Sequence, residues 1–165
     1  MSLRRCFVAI AWLAASACAQ EYPTAPPAGM KAILTLRGVG VQIYNCTRQA
    51  AGPTWTFVAP DAKLLDHEAE VGNHSAGPTW TLKDGSSVKG QVVVTQPSPG
   101  ENAIPWLLLK AVATGGSGVL TKVEYIRRTD TTGGRTHAVG CDAEHLGTTD
   151  HVPYTAVYTF YTSTQ

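Results

Sequence analysis

The chain has no apolar run long enough to cross a bilayer: Phe7–Ala17 is eleven residues, short of the roughly twenty that a helix needs to span a hydrocarbon core of about 30 Å. It also lacks a surplus of one charge. Thirteen basic residues face 12 acidic ones and only 15% of the chain is charged, which removes the electrostatic basis for binding nucleic acid or an anionic lipid surface. Catalytic signatures are missing as well. The many Ser and Thr residues include no G-x-S-x-G elbow, and the histidines show neither H-x-H nor H-E-x-x-H zinc spacing. Gly38-Val39-Gly40 begins like a dinucleotide loop, but Ile43 stands where the third glycine belongs and the VQIYNC run is strand-like. No cofactor is expected.

Cysteine is scarce, and its distribution follows the N-terminus. Arg4-Arg5, the apolar run and Ala17-Cys18-Ala19 have the layout of a secretory signal peptide, basic then apolar then small. Residues 1–19 are therefore expected to be cleaved, which leaves 11 basic against 12 acidic residues, a formal charge of −1. A twin-arginine signal and a lipid anchor through Cys18 are the weaker alternatives, because Leu3 and the residues before Cys18 depart from those patterns. Cleavage leaves Cys46 and Cys141. In an oxidising compartment such a pair most simply forms one disulfide; two free thiols or metal ligands are the competing reading.

What is present reads as β-structure. Residues 20–29, Pro- and Ala-rich, are expected to be an extended lead-in to one domain over 30–165. Lys31–Leu36, Val39–Cys46, Thr54–Val58, Thr79–Lys83, Ser86–Thr95, Ile104–Ala113, Val119–Arg128 and Tyr154–Thr162 have strand character. Asp61–Ala69 has helical character, and Ile104–Ala113, apolar on both faces, fits a buried helix as well as a central strand by pattern alone. Asp84-Gly85 predicts a tight type I′ hairpin, with Trp80 and Leu82 facing inward, and Thr131–Gly134 predicts a turn. About eight or nine short strands point to an all-β antiparallel sandwich or barrel-like domain.

The candidate functional residues follow from chemistry rather than motif. His74, placed in the loop feeding the Trp80 strand, is a candidate acid/base or ligand, since histidine titrates near neutrality. AGPTWT occurs at Ala51–Thr56 and Ala76–Thr81, so the two Trp-bearing strands read as equivalent core strands. Trp55, Trp80 and Trp106 are core residues or, alternatively, stacking surfaces for a sugar or another flat ligand. His137, Cys141, Asp142, His145 and His151 are the densest group of possible metal ligands. Pairing of Cys141 would leave His145, His151 and Asp142 as weak candidates. Asp84 is accounted for by the turn. No metal is expected, nor any nucleic-acid partner or transmembrane segment.

Taken together, GVQIYNC, Trp55–Pro60 (W-x-F-x-A-P), HSAGPTWTLKDGSSV, AIPWLLLKA, VEYIRRTDTTGG, Gly140-Cys141-Asp142 and VPYTAVYTFY resemble the secreted bacterial and fungal family known as domain of unknown function 3455. The resemblance runs from about Gly38 to Tyr161. It implies a secreted β-rich domain without an established activity. Some fungal relatives carry the label malate dehydrogenase, to which the failed dinucleotide comparison lends nothing. His74, Trp80, Asp84, Gly85, Trp106, Cys46 and Cys141 fall on the family-like motifs, whereas His137 stands where proline is expected. The leading expectation is a secreted or periplasmic binding or surface-structural module for a small molecule, a glycan or an envelope component. The alternative is an envelope enzyme, hydrolase-like, with or without metal assistance, centred on His74.

Overall fold

In the computed structural model, residues 23–137 and 139–164 are described; the leader lies outside them. Eight antiparallel strands run in sequence order and close on themselves as a barrel. They are β1 (Met30–Gln49), β2 (Gly52–Asp66), β3 (Ala69–Ser75), β4 (Thr79–Leu82), β5 (Ser87–Gln96), β6 (Trp106–Gly115), β7 (Tyr125–Gly133) and β8 (Thr149–Ser163). β1 pairs with β8 from Met30↔Ser163 to Asn45↔Thr149. Closure removes the two outer edges of the sheet, although residues 52–61 of β2 and 91–96 of β5 reach beyond their pairing with β3 and β4.

Each strand puts alternate residues inside. On β8 these are Tyr154, Ala156, Tyr158 and Phe160, all buried, the set that the alternation in the sequence predicts. On β1 the inward face is Leu36, Gly38, Gly40 and Gln42, while Val39, Val41 and Ile43 face outward as half-buried residues. The two glycines make room. A Cβ on Gly38 would sit 2.5 Å from the Tyr158 ring, and one on Gly40 would sit 2.1 Å from the Asp61 carbonyl oxygen. The pair thus serves close packing, not phosphate binding.

Several sequence expectations are corrected. Asp61–Ala69 is not helical: it is the end of β2, a tight turn at His67-Glu68 with His67 at φ 53°, and the start of β3. Pairing Leu65↔Glu70 and Asp66↔Ala69 outweighs the local helix preference of so short a stretch. Lys31–Leu36 and Val39–Cys46 are one 20-residue strand. Val119–Arg128 splits into a 3-10 turn, Val119–Lys122, and the start of β7. The buried residues there, Leu120, Val123 and Ile126, recur every three positions rather than alternating. Thr131 and Thr132 continue β7 instead of turning. The strand after Ile104 begins only at Trp106.

The β4–β5 hairpin forms, with Thr81 opposite Ser87, but its turn is not type I′. Gly85 takes the positive φ of 84° while Asp84 does not, and the Leu82 amide donates to the Ser86 carbonyl at 2.9 Å. This is a three-residue loop with a bulge at glycine. Asp84 does more than turn the chain. Its carboxylate accepts from the Ser86 amide at 2.8 Å, the Ser86 hydroxyl at 2.6 Å and the Val119 amide at 3.4 Å. It thereby ties the hairpin to the 3-10 turn, and fully buried Leu120 plugs that end of the barrel. The chain ahead of β1 also packs on the fold: Thr24 is fully buried and accepts from Arg127 Nε at 3.4 Å.

Candidate functional site

In an up-and-down barrel alternate connections lie at opposite ends. The 3-10 plug closes one end; the β1–β2, β3–β4, β5–β6 and β7–β8 connections surround the other. There a cavity of about 340 Å³ enters the barrel, within the size range of small-molecule sites. Its wall is mostly apolar: Phe57, Val58, Pro60, Val92, Ile104, Pro105, Leu107 and Leu109, with Trp80 at depth. Phe57, Val58 and Val92 are about half exposed and form an apolar rim. Five polar side chains interrupt this lining: Gln42, Tyr44, His74, Arg128 and Tyr158.

His74 is not on a loop. It is the penultimate residue of β3, paired with Ala62 and Trp80, so its side chain points into the barrel. It stacks on the Trp80 ring at 4.4 Å between centroids and 7° between planes, and meets Tyr158 edge-on at 5.0 Å. Its Nδ1 lies 2.9 Å from the Thr79 carbonyl oxygen. A carbonyl only accepts, so Nδ1 carries the proton and Nε2 is an acceptor. Burial drives the imidazole pKa down to about 4, the Thr79 hydrogen bond opposes the shift, and the positive charge of Arg128 adds to it. His74 is therefore neutral at physiological pH. The lining includes no Asp, Glu or second His, so an acid/base or metal role has no partner beside it.

This depressed pKa has a thermodynamic consequence. Between an unfolded pKa near 6.5 and the folded value of about 4, the unfolded chain binds a proton that the folded chain refuses. Stability is thus complete above pH 6.5 and falls as pH is lowered toward 4, by about 3 kcal/mol from this group. Urea titrations at pH 7 and pH 4 should show that His74→Gln loses less stability on acidification by roughly this amount. Equal losses would rule out a neutral buried His74.

Arg128 enters from β7. Its Nε and Nη2 donate to the Pro105 carbonyl at 3.0 and 2.8 Å, which orients the guanidinium against the cavity wall. Beside it, the Tyr154 and Tyr158 hydroxyls lie 3.1 Å apart. Desolvation raises both above the ordinary tyrosine range, while Arg128 pulls the other way. Gln42 Nε2 lies close enough to Tyr154 to lower that tyrosine slightly, yet it and Trp80 Nε1 are buried without a well-formed hydrogen bond.

The remaining sequence candidates lie elsewhere. Trp55 is half-buried near the disulfide and donates from Nε1 to the Val139 carbonyl at 3.2 Å; it and Trp106 are absent from the cavity lining. The two AGPTWT copies are thus not equivalent, because Gly52-Pro53 opens β2 itself while Gly77-Pro78 lies in the turn before β4. Asp142 and His145 do meet, at 2.7 Å, but within one exposed loop where Asp142 also accepts from the Glu144 and His145 amides. His137 and His151 are exposed. Among the described residues no three His, Cys, Asp or Glu side chains are grouped as a metal site. Cys46 and Cys141 form the expected disulfide. Sequence reasoning missed Arg128 and Gln42, for which only their inward strand positions could have served as a signal.

No curated protein and no solved structure gives a significant match to this chain. The family described as protein of unknown function (DUF3455) matches residues 27–73 and 67–162, which take in every strand but the last residue of β8. The chain belongs to that family.

Proposed function

We propose that this protein is an exported binding module that takes a small, largely apolar molecule into the open end of its barrel. The observation that carries this reading is the cavity of about 340 Å³, closed at its inner end by packed aromatic side chains and bordered at its mouth by half-exposed Phe57, Val58 and Val92. Eight-stranded barrels are of the size that holds one small ligand, and an apolar wall with few oriented polar groups is the usual make-up of such sites. Export is supported by the leader-like residues 1–19 and by a disulfide, a bond that persists mainly in oxidising compartments. Trp80 contributes the aromatic floor of the site; Trp55 and Trp106 do not line it. The hydrolase-like alternative lacks support because neutral His74 has no carboxylate or nucleophile beside it.

Binding of the neutral fluorophore N-phenyl-1-naphthylamine tests the reading. We expect saturable one-to-one binding to the full chain, abolished in Leu107→Trp, where a larger side chain fills the cavity. Fluorescence that never saturates, or that is unchanged in Leu107→Trp, would overturn it.

A further inference from the structure

Resting on the binding reading above, we propose that the ligand carries a single carboxylate on an apolar body, and that Arg128 is the residue that receives it. The argument is an inventory of donors and charge within the cavity. A guanidinium has five N–H groups, and Arg128 spends two on the Pro105 carbonyl. The Tyr158 hydroxyl engages a further one, which leaves two on a side chain that lines the cavity. A carbonyl neutralises no charge, and Arg128 takes part in no ion pair among the described residues.

The groups around the cavity confirm the imbalance. Arg128 is the charged residue acting on His74 and Tyr158, and on Tyr154. Only at Tyr44, nearer the rim, do other charges enter, those of Arg135 and, more weakly, Asp150. Arg135 is exposed and Asp150 is half-buried opposite Tyr44 on β8, and the lining itself contains no acidic residue. Arg128 is half-buried, and a partly desolvated cation without a counter-charge is stabilised by an anion that joins it.

The neutral groups have the same bias. Gln42, only 3% exposed, and Trp80, 1% exposed, each bury a donor nitrogen without a well-formed hydrogen bond. Tyr44 already donates to the Gly134 carbonyl at 2.7 Å. His74 Nε2 is an acceptor in the same lining, but the guanidinium and the two buried nitrogens outnumber it as donors, and an oxygen-rich anion is the complement. One uncompensated guanidinium matches one negative charge; a dianionic phosphate would bury a charge of its own. Carboxylate also fits the guanidinium fork in shape. The apolar lining and rim then accept a hydrocarbon or aromatic body.

Displacement of bound N-phenyl-1-naphthylamine by octanoate and by 1-octanol, which share a chain length and differ in head group, provides the test. In the native protein octanoate should displace the fluorophore at roughly tenfold lower concentration than 1-octanol, as expected for a charge-assisted hydrogen bond. In Arg128→Gln, measured against that variant's own affinity for the fluorophore, the tenfold ratio between the two compounds should fall to about one. Equal displacement by the two compounds in the native protein would overturn the carboxylate assignment and leave the binding reading intact. A preference that survives in Arg128→Gln would overturn the role of Arg128. A native protein that does not bind the fluorophore would overturn both. The native comparison needs no variant, so poor folding of Arg128→Gln does not remove the test.

Discussion

Replacing both Cys46 and Cys141 by serine is expected to cost about 4–5 kcal/mol of stability, the entropy of closing a loop of this size in the unfolded chain. The bond spans a sequence separation of 95 residues, from the end of β1 to the loop between β7 and β8. The loop does not depend on the disulfide for its position. The Cys46 amide donates to the Thr148 carbonyl and the Gly147 amide to the Cys46 carbonyl, each at 2.9 Å. The folded state should therefore keep its geometry, with the loss arising chiefly from the greater freedom of the unfolded chain. Thermal denaturation should show a midpoint lower by on the order of 10 °C, with fluorophore binding below the transition unchanged. A loss under about 1 kcal/mol would mean that the unfolded chain is constrained by something other than the bond.

Trp80→Ala is expected to cost about 3–5 kcal/mol, the usual loss for emptying a buried aromatic site. Trp80 is the largest fully buried side chain. Besides stacking on His74 it meets Tyr158 at 5.5 Å and Phe160 at 6.0 Å, both edge-on, and even glycine at position 90 leaves little space, since a Cβ there would lie 3.2 Å from the indole. Edge-on and stacked pairs add to simple area burial. Removing the indole opens the cavity floor to the core and takes the stacking surface from His74. Trp55→Ala provides the contrast. Trp55 is only half-buried and packs near the disulfide loop, so its loss should be well below that of Trp80. Urea unfolding of the two variants side by side checks this, and equal losses would show that Trp80 is not the centre of the core.

The stretch His74–Val88 holds both the cavity floor and the β4–β5 hairpin, and the sequence shows this only in part. Inward-facing Trp80 and the Asp84-Gly85 hairpin were legible, because strand alternation and turn chemistry are local properties. His74 was not placed correctly. Nothing within a few residues of it distinguishes a loop from a short strand ended by Gly77-Pro78; pairing with Ala62 on β2 decides the matter. The Asp61–Ala69 segment shows the same limit. Its DAKLLDHEA composition suits a helix, and only strands on both sides make it a hairpin.

The cavity lay further still from local reading. Arg128 and Gln42 are 86 positions apart in the numbering, and each looks like an ordinary polar residue of a strand. Whether such a residue faces solvent or the barrel interior depends on register, which a one-residue slip inverts. The paired tryptophan motifs misled for the same reason. Identical hexapeptides at Ala51 and Ala76 pair with different strands, so that one indole becomes the floor of the cavity and the other sits beside the disulfide loop.

By itself, then, the sequence determined an all-β chain with inward aromatics on its last strand, a hairpin at Asp84-Gly85, a disulfide between Cys46 and Cys141 and membership of a family. These depend on side-chain alternation, turn preference, cysteine count and ordered motifs, all readable along the chain. Tertiary structure alone decided between sandwich and barrel, turned the glycines at 38 and 40 into packing space, neutralised His74 by burial and set Arg128 in the lining of an apolar cavity. Those outcomes depend on which strands pair and in what register, and pairing is settled by the closing of β1 on β8, which lie at opposite ends of the described chain.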